Sequence, residues 1–116
     1  MILIGVIFIL VINKETEGNN IKFDFFVGDR NIGYADGMIK GDTFEFHYIY
    51  IYEEVRKLGY GSAVLKLMEE ELKLLNIKIA NGDFIAEVDQ TQKQLHDFYI
   101  KNGYAIVDGV IIKQLS

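Results

Sequence analysis

The sequence predicts an α/β fold: a mixed, mostly antiparallel sheet in the order ββββαβαββ, with helices packed on it. Three observations carry that expectation. Short apolar segments parted by glycine-containing turns fill the chain up to Tyr52. After Gly61 the apolar period changes from that of a strand to that of a helix. Near the end, Thr91-Gln92-Lys93-Gln94 opens a second helix and Asp108-Gly109 marks a tight hairpin.

The first segment, Ile2 to Ile12, is apolar throughout apart from Gly5, and seven of its residues are β-branched Ile or Val. As a helix it would reach only ~16 Å, about half the hydrocarbon thickness of a bilayer. No Lys or Arg precedes it, and Asn13-Lys14-Glu15-Thr16 offers no small-residue cleavage site, so it does not read as a secretion signal. It reads as a buried strand, and the default compartment is the cytoplasm.

Lys14 to Asn20 is expected to form a turn or short loop around Gly18-Asn19-Asn20. Ile21 to Val27 reads as a second strand, Gly28-Asp29-Arg30-Asn31 as a turn, and Ile32 to Ile39 as a third strand. Past Gly41-Asp42, Thr43 to Tyr52 alternates as a fourth strand. Phe44, Phe46, Tyr48 and Tyr50 share one face, and Glu45, His47, Ile49 and Ile51 share the other. Such short connections predict an antiparallel meander.

Val64, Met68, Leu72, Leu75 and Ile79 recur at helical spacing, with Lys66, Glu69, Glu70 and Lys73 on a solvated face. This helix should end between Asn76 and Gly82. Phe84 to Val88 then reads as a strand, parallel to the fourth through a right-handed crossover. In the second helix Leu95, Phe98 and Tyr99 form the apolar stripe, and Asn102-Gly103 stops it. Tyr104 to Val107 and Val110 to Leu115 flank the hairpin turn.

At 116 residues, half of them apolar and a quarter charged, the chain is one globular domain. It contains no Cys, which excludes disulfides, thiolate metal sites and cysteine nucleophiles. Twelve basic residues against 17 acidic ones give a net charge of −5. Nucleic acid is disfavoured by that excess, which instead attracts a cationic partner such as an amine. His47 and His96 stand far apart with no metal-ligand spacing, and neither Ser62 nor Ser116 sits in Gly-x-Ser-x-Gly.

The segment from Ile49 to Ser62 places a strand, a basic glycine-containing loop and a helix N-terminus in sequence. Unpaired N–H groups and a positive dipole end make such a junction suited to a phosphate. The same residues also fit a plain turn with Arg56 and Lys57 as a solvated pair. A Walker A loop is absent, and Val64 stands where a dinucleotide fingerprint needs Gly or Ala.

Arg56-Lys57-Leu58-Gly59-Tyr60-Gly61 resembles the Arg/Gln-x-x-Gly-x-Gly/Ala signature of the GNAT superfamily of N-acetyltransferases. Phe98-Tyr99-Ile100-Lys101-Asn102-Gly103-Tyr104 resembles that family's Phe-Tyr-x-x-x-Gly-Phe segment, and the deduced element order from Ile21 to Leu115 is similar to the family fold. The resemblance implies acetyl-CoA as co-substrate and a primary amine as acceptor. It lays the pyrophosphate on the backbone of Arg56, Lys57, Leu58, Gly59, Tyr60, Gly61 and Ser62, and the pantetheine arm along Ile49, Tyr50 and Ile51. A backbone N–H near Ile51 would hold the thioester oxygen.

The resemblance further makes Tyr99 the acid that protonates the departing sulfur; Tyr99 also fits a core aromatic. Glu45, eleven positions before Arg56, stands where histone-type members carry a catalytic Glu. His47 is a second base candidate on the same face of an ideal strand. Two departures stand out. Gln92 occupies the place of a cofactor-contacting Asn, and only Asn13 to Asn20 joins the first two strands, where the family usually has two helices walling the acceptor. The same sequence also fits a non-catalytic acyl-CoA-binding domain, or an interaction domain whose edge strands pair. Homodimerisation is a family expectation.

Overall fold

The computed structural model describes residues 10–52, 59–83 and 91–115. Strands β1 (Leu10–Glu17), β2 (Asn20–Val27), β3 (Arg30–Lys40) and β4 (Thr43–Ile51) form the antiparallel meander. Helix α1 (Tyr60–Leu74) crosses to β5 (Ile79–Asp83), which pairs parallel with β4. Helix α2 (Gln92–Lys101) leads to the hairpin of β6 (Ala105–Val107) and β7 (Val110–Gln114). The sheet order is β1-β2-β3-β4-β5-β7-β6, so β7 slots in beside β5. This is the predicted ββββαβαββ chain.

Several signals fall where expected. Thr91 accepts a hydrogen bond from the Gln94 backbone N–H at 3.0 Å, and the Gln94 side chain accepts one from the Thr91 N–H, closing the capping box of α2. Asp108 and Gly109 both have positive φ, at 51° and 75°, as a two-residue hairpin whose turn matches the strand twist requires.

Other boundaries differ, each for a physical reason. Lys14 to Glu17 are not loop: they continue β1 as a polar edge strand, leaving only Gly18 and Asn19 as the turn. The part of the expected first strand before Leu10 lies outside the described residues. Arg30 and Asn31 belong to β3 rather than to the preceding turn.

The first helix ends at Leu74, before the predicted window. Asn76 takes φ 63°, its N–H bonds the Lys73 carbonyl, and the Ile77 N–H bonds the Leu72 carbonyl. This is a Schellman stop with Asn in the position usually held by Gly, and buried Ile77 packs in the core with Leu72. Leu75 and Ile79 therefore leave the helical stripe, and Ile79 starts β5. The expected strand at Phe84 to Val88 falls outside the described residues; the strand that pairs with β4 comes earlier, through Asn81 and Gly82.

One core joins both helices to one face of the sheet. Ile21, Phe23, Phe25, Ala35, Phe44, Phe46, Ala80 and Ile111 meet Val64, Leu65, Met68 and Leu72 of α1 and Leu95 and Tyr99 of α2. Glu69 is buried on α1 too, against the expected solvated face. Its carboxylate accepts from the Tyr104 hydroxyl at 2.8 Å and from Lys113 Nζ at 2.7 Å, so the burial is compensated. No described element covers the opposite face of the sheet.

The strict alternation expected in β4 fails at its middle. Opposite β3, Phe46 pairs with Gly37 and Tyr48 with Asp36, so His47 is an extra residue in a β-bulge. The two faces are exchanged beyond it. Phe44 and Phe46 point to the helices, and so does Ile51, whereas Tyr48 and Tyr50 join Glu45 on the uncovered side. Pairing with β5 also stops there: Phe46–Gly82 is the last pair, although β5 runs on to Asp83.

Candidate functional site

The parting of β4 from β5 opens a pocket of about 160 Å³ on the helix side. Ile49 and Ile51 of β4 form one wall. Gly59, Gly61 and Ser62 supply the start of α1, and Leu95, Phe98, Tyr99 and Lys101 supply one flank of α2. The two segments singled out in the sequence thus meet around one cavity.

Local geometry explains the glycines. Gly59 precedes α1 with φ 81°, a left-handed conformation that costs any side-chain-bearing residue energy. Among the described residues no side chain caps this helix start, and no acidic residue lies in its first turn. Its leading N–H groups have no partner within the helix, as at every helix start, and no carboxylate in that turn competes for them. At Gly61 packing is one reason: a Cβ there would lie 3.0 Å from the Phe98 ring. The Asn102 side chain ties the helices further, donating to Ser62 Oγ at 3.1 Å and to the Phe98 carbonyl at 2.8 Å.

Tyr99 is buried, with Phe46 stacked 6.3 Å away, and the Phe98 and Tyr104 rings meet it edge-on at 5.2 and 5.4 Å. It is both a core aromatic and a residue that lines the pocket. The neighbouring Tyr104 phenol has its pKa pushed up, first by burial and then by the Glu69 carboxylate. It stays protonated as the donor to Glu69.

Of the other candidates, Tyr60 heads α1 half-buried against the core. Tyr50 shares the strand with Ile49 and Ile51, but its ring lies on the uncovered face against Tyr34 and Tyr52. Gln92 is exposed at the first position of α2 and does not line the pocket. Arg56, Lys57 and Leu58 lie outside the described residues. Glu45 sits on the uncovered face with Lys40 Nζ 3.1 Å away. His47, in the bulge, has Asp36 at 3.9 Å and borders the same uncovered face as Glu45.

Lys101 and Asn102 were not singled out as site residues by the sequence. Lys101 follows Phe98 by one turn, and Asn102 immediately precedes the stop glycine, so helical spacing contained a signal for both. Among the described pocket-lining residues Lys101 is the one charge, and it is positive. The described residues contain no cluster of His, Cys, Asp or Glu able to hold a metal, and no helix long and apolar enough to cross a membrane.

Residues 21–106 match the family profile described as an acetyltransferase (GNAT) domain. The chain belongs to the GNAT family. Solved structures with the same fold include the PaiA N-acetyltransferase of Thermoplasma acidophilum in complex with coenzyme A, at 20% identity and a TM-score of 0.67 over 83% of this chain and 61% of that one. The aminoglycoside 6'-N-acetyltransferase of Enterococcus faecium shares 16% identity, with a TM-score of 0.68 over 86% and 75% of the two chains. A spermidine N-acetyltransferase chimera from Vibrio cholerae and hSSAT shares 13%, with a TM-score of 0.71 over 85% and 69%. The GNAT chain described here thus spans between 61% and 75% of the length of these three structures. The sequence matches no curated protein. Within the GNAT fold, the two-residue β1–β2 turn leaves no room for helices between those strands.

Proposed function

We propose that this GNAT domain is an N-acetyltransferase that moves an acetyl group from acetyl-CoA directly to a primary amine. The observation that carries the reading is the pocket itself: both motif segments of the family face one cavity at the point where β4 leaves β5. Its chemistry fits the donor. An uncapped helix start with no carboxylate suits a pyrophosphate, Lys101 adds a positive charge, and Ile49, Ile51, Leu95 and Phe98 suit an extended, largely apolar arm. The coenzyme A complex of the PaiA relative supports the same assignment.

In this mechanism Arg56, Lys57 and Leu58 lead the chain into the N–H groups of Tyr60, Gly61 and Ser62, which receive the pyrophosphate. The backbone of Ile49, Tyr50 and Ile51 orients the pantetheine arm, and an N–H near Ile51 stabilises the oxygen as the amine attacks. An ammonium of pKa about 10 must first lose a proton. Glu45 or His47 is the candidate base and reaches the amine through a chain of several waters, because the six residue steps from Glu45 to Ile51 span roughly 20 Å. Tyr99 then protonates the departing thiolate.

Thermal unfolding in the presence of acetyl-CoA, CoA, ATP and NAD tests the donor site. A ligand at about 100 times its Kd adds ~2.7 kcal/mol, or roughly 10 °C for a domain of this size. Stabilisation by both CoA species and not by ATP or NAD is expected; no shift with CoA at millimolar concentration removes the proposal. The short β1–β2 turn favours a second reading, an acyl-CoA-binding domain without turnover. Saturable acetyl transfer to any amine eliminates it.

A further inference from the structure

The face of β1–β4 turned away from the helices has a chemistry of its own. Strand register sets Glu15, Lys22, Asp36 and Tyr48 in one row across the four strands, and Asn13, Asp24, Tyr34 and Tyr50 in the next. Tyr34 and Tyr48 stack at 5.6 Å with their planes 5° apart, and Tyr50 lies 6.0 Å from Tyr34. Glu15, Glu17, Lys22, Asp36 and His47 border an adjoining hollow of about 390 Å³. Carboxylates outnumber cations on this face, and Lys40 is already paired with Glu45. Glu15, Glu17, Asp24, Asp36 and Glu45 thus share one face with a tyrosine stack.

The stack lies across a single strand from the pocket. Tyr48 and Tyr50 alternate along β4 with Ile49 and Ile51, which line the cavity on the other side. Beyond Phe46–Gly82 the neighbouring strand no longer closes that edge.

We propose that this face recognises the acceptor, and that the acceptor is an extended basic polypeptide segment; the inference rests on the acetyltransferase reading above. Stacked phenol rings hold a lysine side chain by its methylene stem and by cation–π attraction to its ammonium. The rim of the hollow then takes a second cation. Glu15 and Tyr48 stand at opposite ends of one row over four strands, about 15 Å at the usual strand separation, or about four residues of extended chain. The substrate is thus a lysine with a second basic residue about four positions away. An acidic face repels the same face of a second copy, so charge argues against self-association there. Among the described residues no helix walls this face to enclose a small amine, so affinity must be gathered from contacts spread along a chain.

Fluorescence anisotropy of a labelled decapeptide, containing Lys and an Arg four residues on, tests this without acetyl-CoA. The comparison peptide has Gln in place of Arg. Tighter binding of the Arg peptide by roughly three- to tenfold is expected, as is a similar loss on Tyr48→Ser or Asp36→Asn in variants whose unfolding midpoint confirms the fold. Equal affinity for both peptides overturns the proposal, as does unchanged affinity in both variants. Displacement of the peptide by spermidine at lower concentration than by unlabelled Arg peptide also overturns it, assigning the face to a small polyamine. Should the peptide bind as expected but never be acetylated, the transferase reading fails and the recognition face stands. Acetylation indifferent to the neighbouring Arg leaves the transferase reading intact and removes the recognition face.

Discussion

The two sides of β4 are built for opposite charges. Toward the helices, Ile49 and Ile51 line a pocket whose charged residue is Lys101 and whose glycines bring a helix start to its edge. Away from them, Tyr48 and Tyr50 lie among Asp24, Asp36 and Glu45. A bulge at His47 produces the contrast, because it turns the tyrosines out and brings Ile51 in at the place where β5 departs. One inserted residue thus separates an apolar, cation-bearing side from an aromatic, acidic side.

The largest expected effect tests the bulge. Phe46→Ala removes a buried ring and should cost about 3–5 kcal/mol, whereas Tyr48→Ala, at 37% exposure, should cost less than about 1 kcal/mol. Chemical denaturation measures both, and comparable losses would restore simple alternation along β4. On the helix side, Tyr99→Phe keeps the ring packing but removes the proton. If Tyr99 is the acid, kcat falls by about a hundredfold with the unfolding midpoint little changed; undiminished turnover would leave Tyr99 as core alone.

Sharpening the charge contrast gives a smaller effect. Lys101→Glu puts a carboxylate into the donor pocket and should weaken CoA by about three- to tenfold in titration calorimetry, while peptide binding to the other face is unchanged. Smallest is a pH effect away from both faces. The Tyr104 phenol is pushed above its ordinary pKa of 10.0 in the folded protein. Its contribution is therefore complete below pH 10 and is lost as the unfolded chain ionises above it. Between roughly pH 9 and 11 the midpoint should fall more steeply for the wild type than for Tyr104→Phe.

The sequence was most legible where one local rule decides. Thr91 with Gln94, and Asp108-Gly109, are self-contained hydrogen-bonding or dihedral preferences, and each appears where it was read. It was less legible where local rules compete. Leu75 and Ile79 continue the helical spacing of Val64, Met68 and Leu72, yet the left-handed turn at Asn76 ends the helix and the β4 edge claims Ile79 for the sheet. Glu69 has the pattern of a solvated helix residue; only the approach of Tyr104 and Lys113, far along the chain, makes its burial tolerable.

The sequence by itself determined the order of elements, the two motif segments and the absence of thiol chemistry, because composition, periodicity and capping act over a few neighbouring residues. Tertiary structure decided which side of β4 each residue faces, where β4 and β5 part, and that Gly61 serves the Phe98 ring. Those outcomes depend on register between strands and on the distance between helices. Such quantities arise only when segments far apart in the chain compete for the same space.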